Sequence, residues 1–192
     1  VRFRGVTERA GQFGVAHGIN PDLVTIAGLA LIAVAAVFIG MGQFGAGALI
    51  ILLAAPLDVW DGAIARALHR KNRFGALLDS SLDRFADGFL MLGLMVYFSS
   101  RGDQGLMLVA GLALIGAFGV SYVRARAEGL QIPCKDGVFS RTERMIVQIV
   151  MFLTGWVVPG VILLAIGNNL TAIQRILVVY RATRADEESG AP

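Results

Sequence analysis

Apolar residues along this chain fall into six long runs separated by short polar breaks, at 23–41, 44–64, 77–98, 106–123, 145–158 and 161–179. A helix that crosses the hydrocarbon of a bilayer needs about 20 mostly apolar residues. The pattern therefore predicts an all-α membrane protein, with six transmembrane helices in a single domain over 21–184. Residues 1–20 alternate differently. Phe3, Val6, Phe13 and Val15 oppose Arg2, Arg4 and Arg9, which predicts an N-terminal interfacial helix. No apolar run there precedes a small-residue cleavage site, so a signal peptide is not expected. Residues 185–192 are polar and are expected to form a disordered tail.

Composition narrows the class further. Of 192 residues, 56% are hydrophobic and 16% are charged, against roughly 45–50% and 25% in soluble domains. Mean hydropathy is +0.68. This excludes a disordered chain and is more apolar surface than a soluble fold of this size can hide. A single cysteine, Cys134, excludes a disulfide scaffold, and two histidines leave little for an imidazole metal site.

The net charge of +3 would suggest nucleic acid in a soluble protein. Here the cations sort by side instead. With six spans, Arg2, Arg4, Arg9, Arg66, Arg70, Lys71, Arg73, Arg124, Arg126, Lys135, Arg141, Arg144, Arg181 and Arg184 share one face of the membrane. The opposite connections hold only Arg101. The positive-inside rule then places both termini in the cytoplasm, and no nucleic-acid partner is expected. Topology does not account for Arg84 and Arg175, which fall inside apolar runs.

Five aspartates stand out: Asp58, Asp61, Asp79, Asp83 and Asp87 lie in or beside the second and third runs. Each costs about 2.5–3.5 kcal/mol at the centre of a membrane helix. Asp58 and Asp61 are three apart and share a helical face, while Asp79, Asp83 and Asp87 are spaced by four. A short loop joins the two helices, so both stripes can meet near the cytoplasmic surface. Oxygen donors without His or Cys favour a hard cation, Mg²⁺ or Mn²⁺. Two other readings of the acids remain at this point: neutralisation by arginines such as Arg66 and Arg84, or a proton or cation pathway.

From Asp58 to Asp83 the chain reads DVWDGAIARALHRKNRFGALLDSSLD. This resembles the CDP-alcohol phosphatidyltransferase signature, D-x-x-D-G-x-x-A-R-x(8)-G-x-x-x-D-x-x-x-D. It matches at every specified position: Asp58, Asp61, Gly62, Ala65, Arg66, Gly75, Asp79 and Asp83. The resemblance implies transfer of a phosphatidyl group from a CDP-linked lipid such as CDP-diacylglycerol to an alcohol, with release of CMP. It implies Asp58, Asp61, Asp79 and Asp83 as ligands of two divalent ions, and Asp83 as the general base. A metal pair suits a diphosphate, because it can clamp attacking and leaving oxygens.

For the donor, the resemblance implies Gly62 and Gly75 as places of close nucleotide approach, and Arg66 as a bidentate phosphate ligand. Asn72, in the loop between the helices, is either a turn residue or a further nucleotide contact, and the resemblance favours the contact. The Pro21-Asp22-Leu23-Val24-Thr25 string matches the family's Pro-x-x-x-Thr start of the first span, which adds Asp22 and Thr25 to the CDP-lipid site. Without the motif, Pro21 is simply a residue favoured in a first helical turn. Gly88, Gly93, Gly111 and Gly116 are expected to serve helix packing.

The acceptor rests on basic strings beyond the motif. Ser121–Glu128, Arg141-Thr142-Glu143-Arg144 and Gln174-Arg175 resemble those of the family's phosphatidylinositol-phosphate synthases and their archaetidylinositol-phosphate counterparts. Arg124, Arg144 and Arg175, with Arg141 beside them, are thereby implied to hold the phosphate of inositol phosphate. Glycerol 3-phosphate is the alternative acceptor, since those synthases commonly carry Lys where Arg124 stands. A cation transporter using the same acids and a non-catalytic binding protein are the alternatives from other classes. The resemblance also implies a homodimer embedded in membrane lipid, at the cell membrane, with its active site facing the cytoplasm.

Overall fold

A computed structural model describes residues 2–68, 73–134 and 137–189. Asn72 and Lys135, and the side chains of Arg2, Phe3, Arg4 and Val6, lie outside the described set. The described residues form seven α-helices: α1 (Arg2–Ala16), α2 (Pro21–Gly40), α3 (Phe44–Ala67), α4 (Arg73–Ser100), α5 (Gln104–Gly129), α6 (Arg141–Thr154) and α7 (Val157–Ser189). They divide into two compact units, residues 1–93 and residues 94–192.

Four helices, α2, α3, α5 and α7, are long and apolar enough to cross a membrane. The chain is an all-helical membrane protein. α4 has the length, yet Asp79, Asp83, Arg84 and Asp87 load its first half with charge. α6 has 14 residues, which at about 1.5 Å each is roughly 21 Å, short of a ~30 Å hydrocarbon core. The break between the last two apolar runs lies at Gly155, not at Pro159 as the run boundaries suggest. Gly155 takes a left-handed φ of 74° and ends α6. Pro159 sits in the first turn of α7, where its missing N–H costs nothing. At its far end α7 runs on through Ser189, into the stretch expected to be a disordered tail. Ala185, Glu187 and Glu188 there all favour helix.

In the first unit, α1 packs on α3 and α2 on α3. Gly11 and Gly14 are buried against α3, and a Cβ on Gly11 would fall 2.5 Å from the Ala63 carbonyl oxygen. Trp60, between the first two motif aspartates, donates its indole N–H to the Ala10 carbonyl at 2.9 Å. The amphipathic N-terminal segment is thus fastened directly to the acid-bearing helix.

In the second unit, α5 and α7 are joined by side chains that reach backbone carbonyls. Asn168 donates to Ala113 O at 2.9 Å, Asn169 to Leu112 O at 2.9 Å and Arg175 to Val120 O at 2.8 Å. Interhelical hydrogen bonds in membranes average only about 0.6 kcal/mol, so close packing has to contribute as well. A Cβ on Gly116 would lie 2.7 Å from Asn168 Cβ and 2.8 Å from the Asn169 backbone nitrogen. Gly116→Ala should therefore destabilise the protein by about 1–3 kcal/mol through overpacking. Gly111→Ala should be almost silent, because its Cβ would meet only Met95 Cε at 3.8 Å. Thermal unfolding in detergent checks this pair, and equal midpoints for the two variants would contradict the packing argument.

Candidate active site

The acid pair of α3 and the first acid of α4 come together. One carboxylate oxygen from each of Asp58, Asp61 and Asp79 lies within 4.8 Å of the other two. Their spacing explains the meeting. Asp58 and Asp61 occupy one face of α3 near its C-terminal end, and Asp79 lies in the second turn of α4. Asp61 is buried at 5% exposure, while Asp58 and Asp79 are exposed.

An all-oxygen, three-carboxylate set suits a hard divalent cation. Two oxygens bound to one Mg²⁺ at about 2.1 Å can stand no more than about 4.2 Å apart. A 4.8 Å spread thus fits a site that tightens slightly on its cation, or one shared between two ions. Among the described residues this is the group of acids placed to hold a metal. Asp83, one turn further along α4 at a rise of about 6 Å, is half-buried and is not part of it.

Asp61 is held from two sides. Thr25 Oγ1, on α2, lies 2.6 Å from its Oδ2, and the Gly62 backbone N–H donates to its Oδ1. The start of α2 is fixed in turn by Asn20, whose Oδ1 accepts from the Asp22 N–H at 3.0 Å. Pro21 follows as the first helical residue. Of the donor residues implied by the motif, Asp22 and Thr25 lie three apart on α2, Gly62 and Arg66 on the α3 packed against it, and Gly75 on α4.

Arg66 is exposed, and its guanidinium folds back over Gly62. A Cβ on that glycine would stand 3.3 Å from Nη1. Gly62 leaves the space in which Arg66 lies one turn on. Gly75 is half-buried in the first turn of α4. Arg84, unexplained by topology, turns its guanidinium back to the Ser80 carbonyl of its own helix.

The basic residues of the second unit divide by burial. Arg144 on α6 and Arg175 on α7 are both 4% exposed, which is rare for arginine. Arg141 is exposed at the start of α6. Arg124 is also exposed, and its Nε pairs with Glu128 at 2.9 Å. α6 and α7 pack together, as do α5 and α7.

The segment before α6 is tied to α7, where Phe139 N–H donates to Thr171 Oγ1 at 3.1 Å and Val138 N–H to Gln174 Oε1 at 3.4 Å. A capping box of Ser140 and Glu143 starts α6 and sets Arg144 one residue on. The Ser140 side-chain hydrogen bond holds the Glu143 carboxyl below the usual carboxylate range. An open cavity of about 510 Å³ lies nearby, lined by Gly137, Val138, Gln174, Leu177, Val178 and Arg181. None of the residues implied for the acceptor lines it.

Sequence reasoning did not find the Thr25–Asp61 bond, the Trp60–Ala10 bond, or the Asn168 and Asn169 ties. The two asparagines were legible as polar residues within an apolar run. The other two bonds join distant segments, and no local spacing announces them.

Residues 19–180 match the CDP-alcohol phosphatidyltransferase family. The phosphatidylinositol phosphate synthase of Streptomyces avermitilis is 35% identical, over 98% of this chain and 84% of its own length. The archaetidylinositol phosphate synthase of Methanothermobacter thermautotrophicus is 36% identical, over 83% of each chain. Among solved structures, the phosphatidylinositol phosphate synthase of Mycobacterium tuberculosis with CDP-DAG bound superposes with a TM-score of 0.84. It is 29% identical, and the match covers 91% of this chain and 94% of that one. The same enzyme in complex with manganese and citrate gives 0.82. With the full aspartate signature in place and the match spanning all but the ends of the sequence, the chain belongs to the CDP-alcohol phosphatidyltransferase family.

Proposed function

We propose that the chain transfers a phosphatidyl group from CDP-diacylglycerol to a hydroxyl of inositol phosphate, releasing CMP and forming a phosphatidylinositol phosphate. The observation that carries the reading is the meeting of Asp58, Asp61 and Asp79 at one point within a family that works on CDP-linked lipids. The acceptor is supported by relatives named for inositol phosphate products on both bacterial and archaeal sides, and by the buried Arg144 and Arg175.

Asp58, Asp61 and Asp79 would hold Mg²⁺ or Mn²⁺, two ions in all, with Asp83 contributing to one. Bound there, the metal supplies charge neutralisation for the diphosphate and its leaving CMP. Arg66 pairs with a donor phosphate, and Gly62 and Gly75, with Asn72 and Asp22, border the nucleotide. The acceptor hydroxyl oxygen forms a new bond to the phosphatidyl phosphorus as the bond from that phosphorus to the CMP oxygen breaks. The hydroxyl proton passes to the Asp83 carboxylate. Arg124, Arg144 and Arg175, assisted by Arg141, hold the acceptor phosphate and so present the hydroxyl.

The same reading takes α4 and α6, with the flanking apolar residues, as the remaining two of six spans, and α1 as an interfacial helix. Both termini and the site face the cytoplasm across the cell membrane, in keeping with the cation asymmetry, and the enzyme works as a homodimer.

The test is purified protein with CDP-diacylglycerol and a panel of alcohols, reading CMP release. Inositol phosphate should be the efficient acceptor, ahead of glycerol 3-phosphate, serine and free inositol. Turnover of glycerol 3-phosphate or serine with none for inositol phosphate would refute the acceptor and leave the reaction class standing. Failure of every alcohol on the panel to release CMP, under Mg²⁺ or Mn²⁺, would refute the transfer itself.

A further inference from the structure

Thr25 stands where the family motif implies a contact with the CDP-lipid, and its hydroxyl meets a motif aspartate. Oγ1 lies 2.6 Å from Asp61 Oδ2 and 3.0 Å from the Pro21 carbonyl oxygen. A hydroxyl has one proton and donates to one acceptor at a time. The carboxylate is the stronger acceptor, and 2.6 Å falls in the range of charge-assisted O–H···O⁻ bonds, about 2.5–2.7 Å. The carbonyl contact sits at the long edge for a hydroxyl donor. The proton therefore points at Asp61.

Asp61 shows what the bond achieves. It is the buried member of the three clustered acids. One of its oxygens is anchored from α2 by Thr25, and the other accepts from the Gly62 N–H of its own helix. A carboxylate has about four lone-pair sites, so each oxygen keeps a lone pair for a metal while the plane of the group is fixed. Asp58 and Asp79 are exposed, whereas the buried Asp61 carboxylate is held at both of its oxygens.

We infer that Thr25 is a positioning residue, whose hydroxyl fixes the Asp61 carboxylate for a divalent cation. This rests on the metal reading proposed above. Partners that orient a metal ligand change affinity by about 10–100-fold when removed.

Thr25→Val keeps the branched shape and removes the donor, while Thr25→Ser keeps the donor and loses a methyl. The primary readout is Mn²⁺ binding to the full chain in detergent without CDP-lipid, followed by the electron paramagnetic resonance of free Mn²⁺. Thr25→Val should weaken Mn²⁺ binding by about 10–100-fold, and Thr25→Ser should retain most of it. In steady-state assays, turnover of Thr25→Val should recover as Mn²⁺ is raised, with an unchanged KM for CDP-diacylglycerol at saturating metal. Unaltered Mn²⁺ affinity in Thr25→Val, with a raised donor KM, would overturn the inference and return Thr25 to the lipid site. Asp61→Asn tells the two ideas apart. If it leaves Mn²⁺ affinity intact, the metal reading fails; if it abolishes binding while Thr25→Val does not, only the positioning role fails.

Discussion

Asp83→Asn should abolish turnover while leaving CDP-diacylglycerol binding largely intact. Asn has the shape of Asp and still accepts hydrogen bonds, but it cannot take up the proton of an attacking hydroxyl. A positioned general base contributes about 10²–10⁴-fold, so kcat should fall by at least about 100-fold. The geometry separates this residue from the others. Asp58, Asp61 and Asp79 form the tight carboxylate group, and Asp83 stands one turn beyond it along α4. Losing its charge therefore leaves three carboxylates to gather the cation. Asp58→Asn or Asp61→Asn should behave differently, weakening metal and donor binding together. Turnover and CDP-lipid binding at saturating Mn²⁺ decide the matter. Near-normal turnover in Asp83→Asn would exclude an essential base at this position.

The parts of this molecule that could be read from sequence are those encoded by local spacing. The D-x-x-D-G string places two carboxylates on one face of α3, which follows from helical geometry alone. Helices α2, α3 and α5 follow equally well from unbroken apolar runs. The α6–α7 boundary did not, since Gly155 and Pro159 are both plausible breakers and only backbone conformation shows which one acts.

Glycine roles were also unevenly legible. Gly93 and Gly116 are close-approach sites, with a Cβ on Gly93 falling 2.5 Å from the Ala36 carbonyl oxygen, whereas Gly111 faces only a methionine tip. In the sequence all three are simply glycines in apolar helices. Thr25 is the most instructive case. Its motif marked it as important, but its partner lies on another helix, and the chemistry of a hydroxyl depends on which acceptor it faces.

Arg175→Lys should weaken the use of inositol phosphate by about tenfold or more while donor kinetics and the fold persist. The side chain is buried, and its Nη1 donates to the Val120 carbonyl at 2.8 Å, which holds the guanidinium on the α5 side of α7. A guanidinium presents five donors in a planar fork, the arrangement that a phosphate accepts bidentately. Lys keeps the charge but loses the fork, and a charge-assisted hydrogen bond is worth about 1.5–3 kcal/mol. Ala would be a poorer probe, because it also leaves a void between α5 and α7 and removes the tie to Val120.

Arg144→Lys should show the same acceptor defect from α6. Arg124 enters on different terms. It must leave Glu128, but an exposed i,i+4 pair holds it by under about 1 kcal/mol, so a phosphate dianion can compete for it. The kinetics of both lysine variants should be measured against inositol phosphate and CDP-diacylglycerol, with thermal midpoints taken alongside. A raised acceptor KM with unchanged donor KM and unchanged midpoint is the expected result. Wild-type acceptor kinetics in both variants would remove the buried arginines from the phosphate site and leave their burial to be explained by helix packing alone.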